Sequence, residues 1–150
     1  MNNNEQQINE THLGYIQNTI TRMGQNSFQA KTWAITIISA LVAFYLTQTN
    51  NKTLNATIII SIAVSVLFCL IDVYYLYLER GYRHLYNLAA KLSTASANQQ
   101  IQPYDMSIPK NKRGIVEYLK SFVSFSTGGF YLLVIIGLIL IKLFVKMEVI

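Results

Sequence analysis

The run Ala56–Leu70, ATIIISIAVSVLFCL, holds no charged residue, no glycine and no proline. Its continuation, IDVYYLYLER over Ile71–Arg80, keeps an apolar background while adding tyrosines and then charge. A helix rises 1.5 Å per residue, so about 20 residues cross the roughly 30 Å hydrocarbon layer of a bilayer. The segment 56–78 therefore reads as a transmembrane helix. With nothing to break it before Gly81, it is expected to run on past the lipid to about residue 92.

Two further stretches have the same character. Residues 28–47, FQAKTWAITIISALVAFYLT, form the first span, with Trp33 at interfacial depth. Lys31 stands one turn inside, from where its ammonium can snorkel to the headgroups. Residues 128–146, beginning GGFYLLVIIGLILIKLFV, form the third, with Lys142 close enough to the end to snorkel as well. The turn between the first two spans (QTNNKTLN, 48–55) is too short for a domain and makes a helical hairpin. The expected fold is all-α: one membrane domain of three transmembrane helices.

Composition agrees. Of 150 residues, 52% are apolar and only 13% charged, against about a quarter charged in a soluble domain that must cover its surface with polar groups. Mean hydropathy is +0.31. Hydrocarbon accounts for the deficit in charge.

Outside the spans, residues 1–27 are polar, yet Leu13, Ile16, Ile20 and Met23 step by three and four along one helix face. This predicts an amphipathic helix, with Thr11 as its start signal and Gly14 and Gly24 as weak points. Residues 93–127 begin as a loop containing both prolines, and an apolar helical pattern resumes at Ile115.

Net charge is +5, and seven of the twelve Lys and Arg lie between Arg80 and Lys120. Positive charge is retained on the cytoplasmic side. The N-terminus and central connector are thus expected inside a bacterial inner membrane, and the first turn and C-terminus outside. Lys142 and Lys146 pull the other way. The clustering marks topology rather than a DNA-binding groove, so no direct DNA binding is expected.

The chain lacks a phosphate loop, a nucleophile elbow and paired carboxylates. His12 and His84 have no Cys, Asp or Glu at metal-ligand spacing and read as solvent-facing or interfacial. Cys69 is a lone thiol in an apolar run. Neither an enzyme nor a metal or cofactor site is indicated.

One ionisable residue stands within a span. A carboxylate at mid-bilayer costs about 2.5–3.5 kcal/mol on insertion scales, so Asp72 is expected to face protein or water. Asp72, Glu79 and Arg83 share one helical stripe, Glu79 and Arg83 at ion-pair spacing, with the N-terminal helix and Arg22 as possible neighbours. Small residues at four-residue spacing (Ser39 and Ala43, Ser61 and Ser65, Ser124 and Gly128) allow close helix approach within or between chains. The basic residues Arg80, Arg83, Lys110, Lys112 and Arg113 could receive an anionic signal.

The stretches Asn26-Ser27…Lys31-Thr32-Trp33 and Asp72-Val73-Tyr74-Tyr75-Leu76-Tyr77-Leu78-Glu79-Arg80, with Arg83 and Leu85-Tyr86 beyond, resemble a group of small bacterial multi-spanning membrane proteins. Tyr104-Asp105-Met106-Ser107 and Ser124-Phe125-Ser126-Thr127 before Phe130-Tyr131 are similar too. The chain departs from that group at Gly81, where a bulkier apolar residue is usual. The resemblance implies a membrane effector of antiphage defence, working beside TIR-type or cyclic-oligonucleotide signalling proteins; because three spans alone enclose no aqueous path, a conducting role needs a homo-oligomer. Its trigger would be a soluble signalling protein or a nucleotide second messenger. No catalytic residue comes with it. Two other roles fit the residues: a non-conducting anchor for a soluble partner, and, resting on Asp72 alone, a transporter or ion-translocating subunit.

Overall fold

The computed structural model describes residues 3–90, 102 and 104–148, and the side chains of 3–6, 8 and 148 are outside the description. Four α-helices make up most of it: α1 (Asn3–Leu46), α2 (Asn51–Ala89), α3 (Ile115–Phe122) and α4 (Phe130–Glu148). A 3-10 turn at Lys110–Lys112 precedes α3, and a π-helical turn at Phe125–Gly129 joins it to α4. Three helices are long and apolar enough to cross a membrane, and the fold is all-α with three spans.

The amphipathic N-terminal segment and the first span are not separate pieces. α1 is one helix of 44 residues, running through Gly14 and Gly24. Thr11 is not its cap: the helix has already begun, and the Thr11 hydroxyl donates to the Gln7 carbonyl at 2.9 Å. Gly24 faces Glu79 across the hairpin, where a Cβ would make an ordinary contact 3.6 Å from Oε2.

α1 and α2 form an antiparallel hairpin, reversed by a tight turn. Asn50 caps α2, its side chain accepting from the Lys52 backbone N–H. Along the seam α1 buries Ser27, Ala30, Ala34, Ile38 and Tyr45, and α2 buries Thr57, Ser61, Ser65, Asp72 and Val73. Lipid gives apolar side chains no drive to meet, so spans associate by close packing. Ser61 and Ser65 permit it: each is fully buried, and each hydroxyl is satisfied by the carbonyl one turn back, at 2.9 and 2.8 Å. Ser39 and Ala43, by contrast, are exposed on α1.

Beyond the spans the hairpin continues as two paired helices with a core of Ile16, Ile20, Leu85 and Ala89. Leu13 and Met106 pack at or near that core. There the solvent is water, and each fully buried aliphatic side chain contributes about 1.5–3 kcal/mol.

A strap over residues 104–113 crosses this projecting part. Gly81 lets it dock. A Cβ at that position would lie 2.8 and 2.9 Å from Ile108, so the missing side chain is the space Ile108 fills, and α2 passes through without a break. His12 is buried, not solvent-facing: its Nε2 is 3.1 Å from the Asp105 carbonyl oxygen, and its ring stands against Tyr104.

α3 exposes Ile115, Val116, Leu119 and Phe122, followed by Val123 and Phe125, at 44% to 91% of their surfaces. Arg80 ties its C-terminal end to α2, donating to the Lys120 carbonyl at 3.2 Å and to Ser124 Oγ at 3.0 Å. The chain then folds so sharply that a Cβ on Gly128 would lie 2.5 Å from the Phe122 carbonyl oxygen. α4 buries little besides Tyr131 and Leu138.

A candidate functional site where the three spans meet

Asp72 is completely buried, and it faces α1. Ser27 Oγ donates to Asp72 Oδ1. Lys31, one turn along α1, places its ammonium 2.6 Å from Asp72 Oδ2 and donates to Ser27 Oγ at 3.1 Å. Lys31 therefore turns inward, with 16% of its side chain exposed, rather than out to the headgroups. The reason is local: a carboxylate already inside the bundle is a nearer partner for the ammonium than the interface, and their attraction offsets part of the cost of desolvating both charges. The spacing Ser27–Lys31 sets both groups on one α1 face opposite Asp72.

The third span closes the cluster. Ala34, Ile38, Cys69, Val73, Tyr131 and Leu138 form one packed core directly beside the ion pair, drawing on all three spans. Tyr131 is 2% exposed and Thr127, on the π-helical turn, is fully buried. Neither hydroxyl has a hydrogen-bond partner among the described residues. A π-turn inserts one extra residue per turn and re-aims the side chains that follow, which is how these hydroxyls come to point inward. A groove of about 320 Å³ between α2 and α4 reaches this layer, lined among others by Ser65, Cys69, Gly128 and Tyr131.

The stripe Asp72, Glu79, Arg83 divides into two parts in the structure. Asp72 belongs to the buried cluster. Glu79 and Arg83 pair with each other a short way beyond the span, at 2.7 Å between Nη2 and Oε1 with a second bond from Nε at 2.8 Å.

The basic residues are also distributed. Arg80 anchors α3, and Arg83 is held by Glu79. Lys112 stands 3.9 Å from Glu117, whose Oε1 accepts from Lys120 at 2.8 Å. These cations hold the Glu117 carboxyl below its ordinary range, the Lys120 bond foremost. Arg113 lies within electrostatic reach of Asp105, whose carboxyl is lowered mainly by its hydrogen bonds with Ser107. Lys110 has no ion pair among the described residues.

His84 lies on α2 within electrostatic reach of Lys112 on the strap. It is half-buried, its Nε2 has no described partner, and burial, then the Lys112 ammonium, holds its pKa below 6.5, with Glu117 opposing. Among the described residues no three His, Cys, Asp or Glu side chains are grouped to hold a metal ion.

Sequence reasoning located Asp72 but missed Ser27, Lys31 and Tyr131 as its surroundings. The signal for the first two was present, a Ser and a Lys one helical turn apart at the entry of a span, but nothing in one helix names its partner in another. No protein-family model, curated protein or solved structure matches the chain.

Proposed function

We propose that the chain is an oligomeric effector of the bacterial inner membrane, acting in antiphage defence, that permeabilises the membrane when a cytoplasmic signal or partner acts on it. The observation that carries this reading is the Ser27–Lys31–Asp72 cluster, buried in the seam between two spans. Apolar residues would hold two lipid-embedded helices together without desolvating two charges. A paired charge in that place suits a seam with two arrangements. Closed, the ions satisfy each other; opened, they become hydrated and line water. Three spans enclose no aqueous path, so the open arrangement needs several copies. The exposed Ser39 and Ala43 on α1 and the exposed faces of α4 leave surface for them.

The trigger would act on the projecting hairpin and its strap. Lys110 and Arg113 form no ion pair with a described residue, and they suit an anionic nucleotide or an acidic protein surface.

The test is membrane potential in cells expressing the protein at graded levels. Asp72→Asn and Lys31→Gln should depolarise cells at expression levels where the wild type does not, and Lys31→Met with Asp72→Leu should be silent at every level. If all four proteins leave the potential unchanged at the highest expression, the effector reading is wrong.

One observation favours a second reading, that of a non-conducting anchor. The hairpin extends about 28 Å beyond the spans, counting residues 9–27 of α1 at 1.5 Å each, and has a core of its own. A soluble protein that co-purifies through this part, with no change in potential, would support it.

A further inference from the structure

At the end of the bundle that carries the α1–α2 turn, the three spans surround a cavity of about 520 Å³. Asn51 and Asn55 line it one turn apart on α2, and Lys142 and Lys146 line it one turn apart on α4. Tyr45, 3% exposed, contributes the α1 wall. Neither lysine forms an ion pair with a described residue. A second cleft of about 680 Å³ meets the first at Val145 and is apolar throughout, lined by residues such as Leu46, Leu140, Phe144 and Met147.

Two ammonium groups facing two side-chain amides make a site for a phosphate. An adjoining hydrocarbon cleft makes a site for an acyl chain. Both lie where the spans end, at the depth of lipid headgroups, and a phospholipid is the abundant membrane molecule that joins the two parts. The same arrangement accounts for cations that otherwise work against the charge asymmetry of the chain: Lys142 and Lys146 do not merely snorkel but converge on one volume.

We propose that this site binds an anionic phospholipid, its phosphate between Lys142 and Lys146, the Asn51 and Asn55 amides donating to the headgroup, and one acyl chain in the apolar cleft. A zwitterionic headgroup would bring its own ammonium against two others, so the site selects phosphatidylglycerol over phosphatidylcholine.

The experiment uses the full chain purified in a neutral detergent, with retained lipid read by native mass spectrometry and the thermal midpoint measured alongside. Phosphatidylglycerol should be retained and should raise the midpoint, while phosphatidylcholine at the same concentration does neither. Lys142→Gln and Lys146→Gln should each weaken phosphatidylglycerol retention about fivefold, the worth of one basic group at an anionic surface, and Lys120→Gln, at the opposite end, should leave it unchanged. Both substituted lysines are exposed, so the variants keep their core. Equal retention of the two lipids by the wild-type chain would overturn the proposal, as would unchanged retention in a chain carrying both Lys142→Gln and Lys146→Gln. Stabilisation by inorganic phosphate as large as that by phosphatidylglycerol would place the anion in solution and overturn the lipid assignment.

Discussion

Lys31 on the first span and Asp72 on the second are joined at 2.6 Å in a seam where the carboxylate has no access to solvent. Removing one member of such a pair strands the other charge, whereas removing both need not cost anything. Asp72→Asn is expected to lower stability by about 3–5 kcal/mol. Replacing both residues, Lys31→Met with Asp72→Leu, should recover most of that loss. Unfolding of the purified protein in detergent would show it, and equal destabilisation by the single and double changes would contradict the pairing.

Gly81 and Ile108 fit as socket and knob. Gly81→Leu overfills the contact, at a cost of about 1–3 kcal/mol, and the strap is the part free to yield. Trypsin should then cut after Lys110, Lys112 or Arg113 faster, by roughly 5- to 30-fold for one to two kcal/mol. Ile108→Ala in the same chain should restore resistance. Unaltered cleavage in Gly81→Leu would mean the strap is held by other contacts.

His84 should make the strap sensitive to acid. Its pKa lies below the ordinary 6.5 because burial and the Lys112 ammonium disfavour the imidazolium. Between the folded value and 6.5 the unfolded chain binds more proton than the folded one, so stability rises with pH in that window. The contribution is complete above 6.5 and is lost as pH falls through the lowered value. His84→Gln should flatten tryptic susceptibility of the strap between pH 7 and pH 5; an identical profile in the wild type and variant would exclude His84 as the cause.

The exposed apolar face of α3 should lie in the bilayer surface. Its last turn leads directly into the third span, and Val123 and Phe125 show 82% and 91% of their surfaces. An environment-sensitive fluorophore at Val123→Cys, in a Cys69→Ala background, should emit as in a lipid boundary and resist aqueous iodide. The same probe at Asn111→Cys should be quenched freely. If both positions quench alike, α3 stands in water and its apolar face must be covered by protein.

The amino-acid sequence foretells some features of the structure and misleads about others. Residues 56–78 announce a span because lipid tests one helix at a time, by length and polarity. Ile16 and Ile20 were legible as buried for a similar reason, since amphipathic spacing belongs to a single helix. Thr11 misled because a capping residue type can also sit inside a helix and bond one turn back. His12 and Lys31 misled because the partners that turn them inward, the Asp105 carbonyl and Asp72, lie on other segments. Gly81 stood out as a departure, but its meaning waited on Ile108.

Hydropathy and charge along the chain therefore determined by themselves that three helices belong in a membrane, and that Asp72 needs company there, because the transfer of each segment from water depends on its own side chains. Which side chain answers Asp72, how the strap seats on Gly81, and that Lys142 and Lys146 converge with Asn51 and Asn55 were decided only by the tertiary structure. Those contacts join residues far apart in sequence, and their energies depend on the register and rotation of one helix against another, which local periodicity does not encode.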